Sequence, residues 1–139
     1  MKAGDHFGPS SWTKITQERI DAFAEATGDH QWIHVDPERA AAGPFGTTIA
    51  HGYLTLSLLP AASYEVIPPQ SNGMAINYGL NRVRFPAPVP VGSRVRVAFE
   101  AAAVEEAEWG TQATLATTVE REGGDKPVCV AEVLFRYYS

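Results

Sequence analysis

The sequence predicts an α+β domain with an antiparallel sheet. Three observations predict it. Apolar residues recur at helical spacing through the first 66 positions, and β-branched and aromatic residues with two-residue alternation dominate after residue 74. Only short Gly/Pro-punctuated stretches separate those later segments, which suits strands joined by tight turns. The length of 139 residues fits one domain, 1–139. Surface scaling at this size leaves about two-thirds of the unfolded area buried, enough for a core without staples.

Taken in order, Thr16 to Thr27 reads as a helix. Thr16 is its N-cap, Ile20, Phe23, Ala24 and Thr27 form the i, i+3, i+4, i+7 face, and Gly28 stops it. The stretch from Asp29 to Pro37 follows a helix stop, carries β-branched residues and ends before a proline, so it is expected as an extended loop. Asp36 and Pro37 then cap and open a short helix that runs to Gly43. Ala50 to Val66 is the most apolar helix candidate. Its leucines and alanines wrap most of the circumference, which predicts burial on nearly all sides, and Pro60 is expected to kink or interrupt it. Residues 74–85, 91–106, 109–122 and 126–138 are the strands. In them Val95, Val97 and Phe99, and Cys129, Ala131, Val133, Phe135 and Tyr137, occupy alternate positions.

Composition narrows the function classes. No apolar run reaches the roughly 18 residues of a membrane span, and the N-terminus turns polar at once, unlike a secretory signal. A single cysteine, Cys129, can form no internal disulfide, so a cytoplasmic location is expected. The net charge of −5 argues against nucleic acid as a partner. That average conceals a basic block. From Val66 to Phe99 there is no Asp or Glu, yet Arg82, Arg84, Arg94 and Arg96 give +4, leaving −9 elsewhere. Such a block suits a small anionic ligand, or simply solvent-facing strand positions.

His30, His34 and His51 fall within 22 residues, beside Asp29 and Asp36. His30 and His34 have a spacing that fits zinc on a helix, but here they lie in a loop without a supporting motif, so a metal is the weaker reading. The stronger one is acid–base chemistry, with Asp29 and His34 jointly holding a water and moving its protons. His51-Gly52 opens the apolar helix, where unpaired N–H groups suit a carbonyl oxygen gaining negative charge, and Gly52 permits close approach.

Together, Gly28-Asp29-His30-Gln31-Trp32-Ile33-His34-Val35-Asp36-Pro37 and Ile49-Ala50-His51-Gly52-Tyr53-Leu54 resemble the MaoC-like dehydratase family. More narrowly they are similar to the (R)-specific enoyl-CoA hydratases, of the NodN-like or mycobacterial single-domain type. The resemblance extends through Asn77–Pro86 and Val91-Gly92-Ser93. It implies a hot-dog fold, in which an antiparallel sheet wraps a central helix, here 50–66, and a homodimer with two active sites near the subunit interface. It implies Asp29 and His34 as the catalytic pair and the Gly52 N–H as donor to the thioester oxygen. Relatives often carry Asn-Pro where this chain has Trp32-Ile33, and some a serine where it has Pro60, so pocket shape is expected to differ. The implied reaction is reversible (R)-specific hydration of a trans-2-enoyl thioester, with neither metal nor redox cofactor.

The basic block then has a candidate ligand in the phosphates of coenzyme A, with Arg82 and Arg84 the favoured pair and Asn77 and Asn81 weaker candidates. An acyl-carrier-protein thioester is the other form of substrate. His30 and His51 are expected to orient the loop and the helix start, and Trp32 and Tyr53 to pack or line an acyl tunnel. Two alternatives remain: a hot-dog acyl-CoA thioesterase using the same oxyanion donor, and a non-catalytic acyl-binding or dimerisation module.

Overall fold

The computed structural model describes residues 1–70 and 74–139. Two short strands come first, β1 (His6–Phe7) and β2 (Thr13–Lys14). Five helical segments follow: α1 (Gln17–Thr27), α2 (Trp32–Val35), α3 (Pro37–Ala41), α4 (Gly52–Ser57) and α5 (Leu59–Val66). Four long strands complete the chain: β3 (Met74–Arg84), β4 (Arg94–Ala107), β5 (Gly110–Arg121) and β6 (Cys129–Tyr138). All pair antiparallel in the order β1-β4-β5-β6-β3, with β2 also on β4. This is the α+β, hot-dog arrangement of a sheet around a central helix.

The alternation on β6 survives intact: Cys129, Ala131, Val133, Phe135 and Tyr137 are buried and the residues between them half-buried. With Val95, Val97, Phe99 and Leu115 they meet Leu54, Leu59 and Ala62 of α4 and α5 in one core. α1 has the expected ends. The Thr16 hydroxyl accepts from the Arg19 N–H at 3.1 Å, and Gly28, at φ 83°, closes back on the Ala24 carbonyl. Thr27 is exposed, however, so the buried face ends at Ala24.

The central helix is interrupted as Pro60 predicts, but it is not buried on nearly all sides. It breaks at Leu58 into α4 and α5, because Pro60 has no N–H to return to Leu56 and the Leu58 N–H turns back to Thr55. It also keeps an open face, on which Tyr53, Ser57, Ala61 and Tyr64 are exposed. The stretch 29–37 is not wholly extended either. Trp32–Val35 makes one helical turn, closed by the Asp36 N–H on the Trp32 carbonyl. Tertiary contacts override the β-branched propensity there: Trp32 packs on Gly43 and under Arg39, and the Ile33 carbonyl accepts from the Ile49 N–H.

β3 is a sheet edge. It pairs with β6 on one side, through two register shifts, and only Ala75 and Val83 along it are half-buried. No helix among the described residues is long and apolar enough to cross a membrane.

Candidate active site

The two loops singled out in the sequence meet at the start of α4. Gly28 ends α1 in the left-handed conformation, which turns the chain so that Asp29 begins the following loop with its carboxylate exposed. That carboxylate accepts from the Gln31 N–H at 3.3 Å. His34, on the single turn α2, is 6% exposed, and its Nδ1 lies 2.7 Å from the Ile49 carbonyl. A carbonyl only accepts, so Nδ1 carries the proton. Nε2 is left with its lone pair and no protein partner among the described residues. Burial is the main force holding the His34 pKa below its ordinary value. The Ile49 bond opposes it, neighbouring His51 adds to the lowering, and the Asp29 charge opposes in turn. His34 is therefore a neutral imidazole with a free acceptor nitrogen at neutral pH.

His51 joins the pieces. Its Nε2 lies 2.9 Å from the Asp29 carbonyl, and its ring stacks on His34 at 3.8 Å between centroids. Asp29, His34 and His51 each offer a ligand atom within 4.8 Å of the others. His30 is not part of this group; it lies near Glu25 at the surface. The His30/His34 spacing that suggested zinc therefore does not converge. The group that does converge presents two stacked rings, 23° apart.

Gly52 follows His51 as the first residue of α4. Its N–H and that of Tyr53 have no acceptor among the described residues, since the first intrahelical bonds come from Leu54 and Thr55 to the His51 carbonyl. The break at Leu58 leaves α4 six residues long, so these free N–H groups, not a long helix dipole, supply the polarity. The space beside the Gly52 Cα is occupied: a Cβ there would meet the Phe85 ring at 3.0 Å. Gly52 is needed for the approach of Phe85. The two residues line one cleft of about 310 Å³ with Phe45, Ile49 and Thr55.

The arginines separate into two kinds. Arg94 pairs with Glu122 at 2.8 Å and Arg96 with Glu120, and both lie over Trp12. Arg82 has no acidic partner among the described residues, and Arg84 donates only to the Val83 carbonyl. Both lie at the β3 end that leads into Phe85, but on the face opposite Val83, which packs toward the core. Asn81 is engaged with Glu132 at 2.8 Å. Asn77 and Tyr53 line a groove of about 330 Å³ beside α4, whereas Trp32 is spent on Gly43 and Arg39.

Sequence reasoning missed Gln17. Its side-chain amide donates to the His34 carbonyl at 2.7 Å and to Asp21 at 2.9 Å, and its oxygen accepts from the buried Thr48 hydroxyl at 2.5 Å. It thereby fastens the His34 turn and the strap before α4 to α1. An exposed-looking Gln just after a helix cap carries no signal of this at the sequence level.

A family model described as MaoC like domain matches residues 1–124. The 3-hydroxyacyl-thioester dehydratase Z of Mycobacterium tuberculosis is 62% identical over 138 residues, covering 99% of this chain and 91% of that protein. Nodulation protein N of Rhizobium leguminosarum is 47% identical over 136 residues, covering 94% and 83%. The solved (R)-hydratase from A. caviae, involved in PHA biosynthesis, superposes with a TM-score of 0.82 at 27% identity, covering 99% of this chain and 97% of that one.

Proposed function

Because the chain belongs to the MaoC-like dehydratase family and is a hydro-lyase of 3-hydroxyacyl thioesters, we propose that Asp29, His34 and the Gly52 N–H carry out its reversible (R)-specific hydration of trans-2-enoyl-CoA. The observation that carries this is the His34 tautomer. The Ile49 carbonyl accepts the Nδ1–H, which leaves Nε2 as the base grouped with the Asp29 carboxylate. A water held by the two adds its oxygen to C3, and its proton passes to Nε2. The C2=C3 electrons move onto the thioester oxygen, where the Gly52 N–H stabilises the charge by an interaction of roughly 3–4 kcal/mol elsewhere. Return of a proton to C2 completes hydration, and the reverse sequence dehydrates. No metal or redox cofactor is required, since every proton moves between groups already in place.

Crotonyl-CoA tests the reading. Loss of enoyl absorbance without release of free thiol is the expected result. Thiol release would identify a thioesterase, and no change across a range of acyl lengths would mark a non-catalytic module.

The lowered His34 pKa has a definite sign in the pH profile. The base is lost on protonation, so the acidic limb of kcat/KM is expected below pH 6.5, the ordinary imidazole value. A limb above 6.5 would contradict the buried neutral base. Folding is linked in the same direction. As pH falls below 6.5 the unfolded chain takes up the proton first, so stability declines.

The active form in this reading is a homodimer built on β3. This edge strand is exposed along most of both faces. Ile76, Tyr78 and Leu80 stand out from it, and Tyr53 and Tyr64, each over 70% exposed, from the open helix face. A long apolar edge is a template for another strand, and a second copy covers it by symmetry. The area of 7800 Å² also exceeds the roughly 7,000 Å² of a compact monomer of this mass. Sedimentation should give a dimer, and Ile76→Lys should raise its dissociation constant at least roughly 30-fold, the effect of one hot spot. A monomeric wild type would refute it. Pairing at this edge also bears on Arg82 and Arg84. Their outward face makes them candidates for coenzyme A phosphates at the rim of a site near the interface.

A further inference from the structure

We propose that His51 is a positioning residue for hydration, its Nε2–H imidazole holding the Asp29 loop, the His34 ring and the Gly52 N–H in one geometry. The inference rests on the reading of Asp29 and His34 as the hydration pair. Three separate contacts of one side chain and its backbone carry it. Nε2 is 2.9 Å from the Asp29 carbonyl, so it must be the protonated nitrogen. The ring lies against His34 on one side, at 3.8 Å, and meets Phe23 on another at 4.9 Å. The His51 carbonyl receives the first two bonds of α4, from Leu54 and Thr55, and so sets where Gly52 points.

The remaining nitrogen shows what this geometry costs. With Nε2 protonated, Nδ1 is an acceptor, and it is buried with no partner among the described residues, in a histidine only 3% exposed. Packing alone would be met better by phenylalanine or leucine, which leave no unsatisfied acceptor. The donor to Asp29 would be met as well by asparagine or glutamine, which offer no ring for His34. Imidazole is the side chain that supplies both. His51 is buried and does not line the cleft beside Gly52, so it acts through the groups it holds and not on the substrate. Its removal should therefore lower kcat more than it alters KM.

Nitrogen-15 spectra of the wild-type imidazoles and kinetics of His51→Phe form the test. The expected spectrum has His51 protonated at Nε2, with Nδ1 unprotonated and free of hydrogen bonds. His51→Phe keeps the stack and removes the donor, and is expected to lower crotonyl-CoA hydration roughly 100-fold in kcat, the scale of an ångström of misplacement. KM should move less than about threefold. A proton on Nδ1 would overturn the inference whether or not the variant folds. So would a wild-type kcat in His51→Phe while Asp29→Asn is inactive. Full turnover in Asp29→Asn would instead overthrow the underlying assignment of the pair.

Discussion

Asp29→Asn and His34→Gln each lower the turnover of enoyl-CoA hydration roughly 1,000-fold, the middle of the range for a positioned acid or base. Both substitutions are chosen to spare the fold. Asparagine keeps an oxygen for the Gln31 N–H, and glutamine keeps a donor for the Ile49 carbonyl. What each removes is chemical: in the proposed mechanism, the carboxylate that holds the water or the lone pair that takes its proton. Asp29→Asn should also drive the His34 pKa lower still, because the Asp29 charge now offsets part of its fall. Proton NMR of His34 reads that shift independently of turnover. Near-wild-type hydration in either variant would remove that residue from the mechanism.

Gly52→Ala should cost about 100-fold in kcat, the scale of one lost oxyanion donor. The new Cβ would lie 3.0 Å from Phe85, so either the ring or the first residue of α4 must shift. If the loss arises through that contact, Gly52→Ala/Phe85→Leu should recover about tenfold, a coupling expected only of residues in contact. Absence of any loss in the single variant would show that the added methyl is accommodated against Phe85 without displacing the N–H. Loss without recovery would locate the damage in the backbone of α4 itself.

The long strands were legible because their signal is local. On β6 every second residue is apolar, and burial follows that period without exception. The caps of α1 and α3 were legible for the same reason, since Thr16 and Asp36 act within three residues of themselves. What escaped depends on contacts distant in the chain. The single turn Trp32–Val35 forms because Gly43, Arg39 and Ile49 receive its residues, none of which its own composition announces. The pairing of β3 with β6 is likewise a fact of topology.

The site divides along the same line. Asp29, His34 and Gly52 stand in two motifs that similarity to a family brings together, and the structure places those motifs side by side through His51. The tautomer of His34 could not be read from sequence, because it is set by a backbone carbonyl 15 residues away. Gln17 lies outside both motifs and fastens His34 through backbone and hydroxyl groups, which leave no residue pattern. The contact of Phe85 with Gly52 leaves no residue pattern either, because a ring from just beyond β3 reaches the Gly52 Cα face only in the folded chain.

Hydration in heavy-oxygen water tests the central claim most directly. If Asp29 and His34 deliver water to C3, the label appears in the 3-hydroxyl of the (R) product, the thioester stays unlabelled and intact, and Asp29→Asn slows incorporation roughly 1,000-fold. Label in a free carboxylate, or recovery of enoyl thioester with no labelled 3-hydroxyacyl product after full exposure to the wild-type protein, would contradict it.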